Sequence, residues 1–423
     1  MEGKILHKNR LAIVGCGGMG HRHLAGLAEL HRAGLNDFEL VSACDPVLEN
    51  AESLAQQAEE HFEKRPTVVG NLEELTALGV EAVDITTTPG YHHTVAIEAL
   101  QRGWHAMVEK PMGLTVRACN LMRQAAEQSG CILSTAENYR RDPINRLAKA
   151  LLQAEVIGAP RLLLHNAIGG GNSMLISVWR HQKNSSGVLL DVGVHYADMI
   201  EYLLGEVVSV YAQTRLHERI RKNPLAGAPE SATTGGVYER WQRKMPAEFE
   251  ATAEDAAYAT LLFKNGTVGQ YIEDHAGHGQ GMWRRTIFGS TGSLELPGDR
   301  SGGSITLNLD SGKSIGDERI LDFVPDFRLD AVTATLFGGE RLWRYNFPFP
   351  ETDRKIIAIE YADFATAIHS GSAPEVDAYQ GTRSVALSYA MLESGALGRL
   401  VTMDEVMSEQ VEAYQREINE SLG

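Results

Sequence analysis

The segment Leu11-Ala12-Ile13-Val14-Gly15-Cys16-Gly17-Gly18-Met19-Gly20 runs an apolar strand into G-x-G-x-x-G and then into a helix-like stretch. Few short patterns constrain a fold so tightly. Gly15 permits the tight turn, Gly17 lets backbone approach a pyrophosphate, and Gly20 lets the following helix pack on the strand. That helix turns free N–H groups and the positive end of its dipole toward the phosphates. The motif alone is weak evidence, since other α/β proteins carry glycine-rich turns, but here its strand and helix stand in place.

The next 130 residues repeat the theme. Apolar strand candidates at 11–15, 39–44, 82–87, 106–109 and 132–135 alternate with helix-like segments at 21–33, 46–63, 94–102, 116–129 and 143–154. Such alternation predicts a parallel sheet. The second strand ends at Asp45, placed to accept hydrogen bonds from ribose hydroxyls and to repel a ribose phosphate, which favours NAD over NADP. The competing role for Asp45 is that of a turn residue before Pro46.

Beyond residue 154 the texture changes. A strand at 161–167 and a helix near 191–204 precede strands at 207–214, 256–263, 267–274 and 285–289, which predicts a mostly antiparallel sheet with one face open to a partner subunit. The expected architecture is α/β plus α+β, with a Rossmann domain at 1–140 and a substrate-binding and oligomerisation domain at 141–423. Residues 215–253 interrupt the rhythm: they are polar, carry three prolines, and read as a long excursion between strands. The acidic tail, 405–421, is compatible with a helix lying on a neighbour or on the surface.

Composition narrows the function. A net charge of -16 argues against nucleic acid and anionic membranes as partners. Four cysteines without C-x-x-C spacing read as free thiols, and neither a signal-peptide apolar region nor a bilayer-length run occurs, so a cytoplasmic protein is expected.

Glu109-Lys110-Pro111 follows an apolar strand, and Asp191-Val192-Gly193-Val194-His195 comes some eighty residues later. Oxidising a secondary alcohol requires a base for the hydroxyl proton and a cation beside the developing alkoxide. Together with the glycine loop, Thr88-Pro89-Gly90-Tyr91-His92-His93, Asn138-Tyr139-Arg140 and the run from Gly187 to Asp198, these motifs make the chain resemble the Gfo/Idh/MocA oxidoreductases, such as inositol dehydrogenase and glucose–fructose oxidoreductase, from about residue 10 to 400.

The resemblance implies His195 as base, Lys110 as the cation, and Asp191 as a group that binds substrate hydroxyls or tunes the histidine. It implies cofactor contacts from Gly15, Gly17, Gly18, Met19, Gly20, Asp45, Thr88, Pro89, His93, Glu109, Lys110 and Asn138. Helical spacing would put Asp191, His195 and Asp198 on one face; N-capping is the plainer role for Asp191, and a structural role the plainer one for Asp198. No metal is expected, because no third histidine or cysteine pattern supports one.

By the same analogy Tyr139, Arg140, Trp179, Arg180, Lys183, His275, Arg284 and Arg285 border the substrate. Several arginines near one cleft of an acidic protein suggest an anionic substituent, a carboxylate or sulfonate, against the alternative of ordinary salt bridges. Three functions compete. The leading one is an NAD-dependent dehydrogenase of a sugar, sugar acid, glycoside or polyol. The second is an NAD-dependent glycoside hydrolase working by transient oxidation, elimination, water addition and re-reduction. The third is an NAD-reading regulator, against which the intact Lys110, Asp191 and His195 argue. A homodimer or homotetramer is expected.

Overall fold

The computed structural model describes residues 8–229 and 236–422. Residues 1–7, on which part of the signal-peptide reading rests, and 230–235, within the long excursion, lie outside the described residues.

Six parallel strands form the first sheet: β1 (Asn9–Val14), β2 (Phe38–Cys44), β3 (Thr67–Val69), β4 (Ala82–Ile85), β5 (His105–Glu109) and β6 (Leu133–Ala136). Their spatial order is β3-β2-β1-β4-β5-β6, so the order reverses beside β1, where its carboxyl end meets the glycine loop. In such sheets ligands bind at that crevice. The strands are buried on both sides and read as continuous apolar runs, as Leu11, Ala12 and Ile13 show with no exposure at all. The strand β3 was not among the sequence candidates. It is three residues long, too short for an apolar period to register.

The second sheet has nine strands in the order β16-β15-β14-β13-β7-β12-β11-β8-β17. They are β7 (Leu162–Gly170), β8 (Val207–Arg215), β11 (Ala256–Phe263), β12 (Val268–Gly277), β13 (Met282–Phe288), β14 (Gly292–Leu296), β15 (Thr306–Leu309), β16 (Ser314–Ile315) and β17 (Val401–Thr402). All neighbours are antiparallel except β7 and β12. The helices Gly193–Leu204 and Ala378–Leu397 cover one face. On the other face Val208, Tyr211, Leu262 and Val268 are exposed.

The excursion at 215–253 is not a plain loop. Two short strands, β9 (Ile220–Lys222) and β10 (Glu248–Glu250), pair antiparallel, and a single helical turn, Glu239–Gln242, lies between them. The tail packs on its own chain: Gln415 accepts the Val116 N–H at 2.9 Å, and Glu409 and Glu412 pair with Arg117. Late in the chain, the helix Phe349–Ser370 returns to the first sheet and packs on the helix Gly18–Arg32, close enough that a Cβ on Gly26 would stand 2.4 Å from Ile357. We propose a division of the chain near residue 140, between β6 and β7, with this returning helix sealing the two parts.

Candidate active site

The glycine loop has the geometry its sequence demands. Gly15 has φ +99°, and a Cβ there would lie 2.6 Å from the Thr87 nitrogen. A Cβ on Gly20 would lie 2.4 Å from the Gly15 carbonyl oxygen. At Gly17, the N-cap, a Cβ would meet nothing within 4 Å. The first-turn N–H groups of the helix Gly18–Arg32 have no intrahelical acceptor, and the open ground at Gly17 suits a diphosphate. Asp45 is fixed against the loop: its Oδ2 accepts the Cys16 N–H and its Oδ1 the Val47 N–H, both at 2.8 Å. The residues present therefore fit an NAD molecule.

Beside the loop opens a cleft of about 880 Å³ between the two sheets. Among the expected cofactor and catalytic residues, Met19, Glu109, Lys110, Asn138, Asp191 and His195 line it. Thr88 and Pro89 start the helix Pro89–Gln101, with Thr88 as N-cap. His93 is buried and does not line the cleft; its neighbour His92 bridges Thr87 O and Pro111 O at 3.0 and 2.9 Å.

Lys110 leaves the end of β5 and donates from Nζ to the Asp191 backbone oxygen at 2.8 Å and to its Oδ1 at 3.2 Å. Arg180 Nε donates to Asp191 Oδ2 at 2.7 Å. Burial opposes the charge on Asp191, yet Arg180 and Lys110 outweigh it and hold the carboxyl well below its ordinary range. The expectation of one helix carrying Asp191, His195 and Asp198 needs correction. Asp191 ends a short helix, Val188–Asp191, and Val192 separates it from the helix Gly193–Leu204. Nor does Asp191 cap the second helix, because its carboxylate is held by the two cations. Asp198 faces away from the cleft and binds Arg140.

His195 is held at one nitrogen and across its ring face. Nδ1 lies 2.8 Å from both carboxylate oxygens of Glu137. Tyr139 stacks on the ring, with centroids 4.0 Å apart and planes 1° from parallel. Burial, then the charges of Lys110 and Arg300, push the imidazolium well below its ordinary pKa, so the ring is neutral at pH 7.

Of the expected substrate rim, Tyr139, Arg180 and His275 line the cleft. Five residues do not. Arg140 turns to Asp198, at 2.8 Å through Nε, because successive residues of the 3-10 turn Tyr139–Arg141 point in different directions. Arg285 is fully buried and bidentate on Asp299 at 2.6 and 3.0 Å, on the core side of β13, while Arg284, on the opposite side of the strand, donates to Thr286. Lys183 pairs with Glu417 at 3.2 Å, and Trp179 serves as a platform for the Arg180 guanidinium, 4.2 Å away.

Sequence reasoning missed several residues, one lying behind His195 and the others lining the cleft. Glu137 immediately precedes Asn138-Tyr139-Arg140 and no spacing marks it. Arg300 follows Asp299 in a turn with φ +59° and lies 4.6 Å over the Tyr139 ring. Arg22 and Arg300 share one carboxylate, Asp353. From the excursion come Tyr238, Arg240 and Trp241. The polar composition of 215–253 marked a long excursion between strands, but not that its residues would reach the cleft.

Comparison with known proteins settles the family. Residues 9–137 match the model of the oxidoreductase family's NAD-binding Rossmann fold, and residues 149–403 that of its C-terminal alpha/beta domain. The chain belongs to the Gfo/Idh/MocA oxidoreductase family. As a member it is an NAD-dependent dehydrogenase. Levoglucosan dehydrogenase of Pseudarthrobacter phenanthrenivorans is 29% identical over 346 residues, 77% of this chain and 81% of that protein. Myo-inositol 2-dehydrogenase of Thermotoga maritima is 24% identical over 78% of this chain and 81% of its own. A solved levoglucosan dehydrogenase in complex with NADH superposes with a TM-score of 0.72 at 22% identity, covering 94% of this chain and 99% of that one. That last likeness shows the fold.

Proposed function

We propose that this dehydrogenase oxidises a secondary hydroxyl of a cyclic sugar, sugar acid or polyol with NAD. The observation that carries the reading is the meeting of Lys110, Asp191 and His195 in the lining of one cleft, beside the glycine loop. The named relatives act, by their names, on levoglucosan and myo-inositol.

Gly15, Gly17, Gly18, Met19, Gly20 and Asp45 would hold the cofactor's diphosphate and ribose, and Glu109 and Asn138 its far end. Bound NAD supplies the hydride acceptor. The chain's own residues do the rest. Lys110 stands as a fixed cation beside the reacting oxygen and steadies negative charge as the O–H bond weakens. Asp191, clamped by Lys110 and Arg180, keeps the ammonium in place. Neutral His195 accepts the hydroxyl proton at Nε2, the nitrogen that Glu137 leaves free.

An anionic substituent on the substrate remains part of this reading, with different residues behind it. Arg180 and Arg285 are spent on Asp191 and Asp299. Arg300 instead faces the cleft next to Tyr139 and shares Asp353 with Arg22, so two guanidinium groups have one carboxylate between them. The exposed apolar residues Val208, Tyr211, Leu262 and Val268 support a homo-oligomer joined through the outer face of the second sheet. The four free cysteines support a cytoplasmic protein.

The test is incubation with NAD and a panel of neutral and acidic sugars, polyols and nitrophenyl glycosides. NADH absorbance rising with one class of substrate establishes the dehydrogenase. Nitrophenolate released over many turnovers without matching NADH would replace it with the redox-neutral hydrolase. No reaction with any member would sink the reading.

A further inference from the structure

Glu137 is a buried carboxylate, 3% exposed, in an unusual position. Among the described residues its salt-bridge partner is His195 and no lysine or arginine. Beyond the imidazole it accepts one backbone N–H, that of Tyr139, at 3.0 Å. A carboxylate buried without a cationic side chain loses its hydration largely uncompensated, which an apolar group of the same shape would not. Packing therefore gives no reason for it. Its geometry toward His195 does: both oxygens lie 2.8 Å from Nδ1, and Tyr139 closes the ring's face.

Resting on the dehydrogenase reading, we propose that Glu137 is the positioning residue of His195. It holds the ring as the Nδ1–H tautomer, so that Nε2 is an acceptor facing the cleft, and it takes the Nδ1 proton as Nε2 receives the proton of the substrate hydroxyl.

The balance is simple. The substrate O–H breaks and Nε2–H forms; Nδ1–H breaks and a carboxyl O–H forms on Glu137. The imidazole ends neutral with its tautomer exchanged, and the electron pair of the broken O–H bond stays on oxygen to become the carbonyl π bond as the hydride departs to NAD. The surroundings favour this endpoint over an imidazolium. Burial first, then Lys110 at the end of β5 and Arg300 in the turn after β14, disfavour a charged His195, and Asp191 and Asp299 oppose them only in part. Burial raises the proton affinity of Glu137, opposed by Lys110, Arg140 and Arg300. A positive ring is thus disfavoured where a neutral carboxylic acid is tolerated.

Long-range nitrogen–proton spectra of histidine-labelled protein read the tautomer directly, with His195 assigned by the signal lost in His195→Gln. The expected result is a neutral Nδ1–H ring from pH 6 to 9. In Glu137→Leu that ring loses its acceptor and shifts toward Nε2–H. In Glu137→Gln an amide oxygen still accepts, so Nδ1–H persists, but no proton can be taken up. There kcat falls about 100-fold while KM stays within about threefold.

An Nε2–H ring in the wild type, or an unchanged ring in Glu137→Leu, would overturn the positioning role. A Glu137→Gln enzyme within about threefold of wild-type kcat would overturn the proton transfer. If wild type reduces NAD with no sugar of the panel, the dehydrogenase reading fails and the transfer with it. The spectra still decide the positioning.

Discussion

The phenol ring of Tyr238 rests on the backbone of Gly18: a Cβ added at that glycine would stand 2.3 Å from the ring. Gly18 is not one of the three glycines that G-x-G-x-x-G requires. Its lack of a side chain makes room for the excursion instead. Tyr238 also meets Arg22 through its hydroxyl at 3.2 Å, and Arg240 reaches Ser53 at 3.1 Å, so the segment spans the cofactor loop. Gly18→Ala should displace it and weaken NAD binding about tenfold, as should Tyr238→Ala. Calorimetric titration with NAD checks this, and an unchanged affinity in both variants would mean that the segment lies elsewhere when the cofactor is bound.

Lys110→Ala should lower kcat by about 100-fold or more while leaving the NAD dissociation constant within about threefold, the outcome expected of the role we propose for the ammonium beside the reacting oxygen. Lys110→Arg should not restore the rate, because a planar fork cannot hold the same contacts to the Asp191 carbonyl and carboxylate. Steady-state rates and NAD titration on the same preparations separate the two effects.

Arg300→Met should raise KM for an acidic sugar about tenfold or more and leave a neutral analogue nearly unchanged. Equal losses on both substrates would show that Arg300 only braces Tyr139.

His23 joins the two parts of the chain. Its Nδ1 lies 3.0 Å from Asp84, which also receives the hydroxyl of Tyr361 from the returning helix. Burial opposes a charged ring, but Asp84, with Glu109 and Glu360, pushes its pKa up to about 9. Since the folded value lies above the unfolded one, the stabilisation is complete below about pH 6.5 and is lost as pH rises through about 9. Melting temperature should therefore fall between those values. In His23→Gln the slope should flatten, by the equivalent of about 1–3 kcal/mol.

The thiols should differ sharply. Cys16, Cys44 and Cys119 are buried, and burial raises the pKa of each, that of Cys44 to about 12. Cys131 is half-buried. A thiol-disulfide reagent should titrate one group in the native protein and four after denaturation.

The sequence by itself determined the dinucleotide-binding sheet and singled out Lys110, Asp191 and His195, which the fold brings to the lining of one cleft. Local chain geometry dictates those features: G-x-G-x-x-G must turn between strand and helix, and Glu109-Lys110-Pro111 must follow a buried strand. Where side chains point was another matter. Arg140, Arg284 and Arg285 read as cleft residues, yet a strand alternates its faces and a 3-10 turn fans its side chains, so only packing decides which arginine meets solvent and which meets Asp198 or Asp299. Glu137 carried no local signal, because its meaning depends on His195, 58 residues later. Tertiary structure alone decided that Tyr238 would cross the cofactor loop and Arg300 lie over Tyr139, since contacts between distant segments follow from burial of the whole chain and not from any run of neighbours.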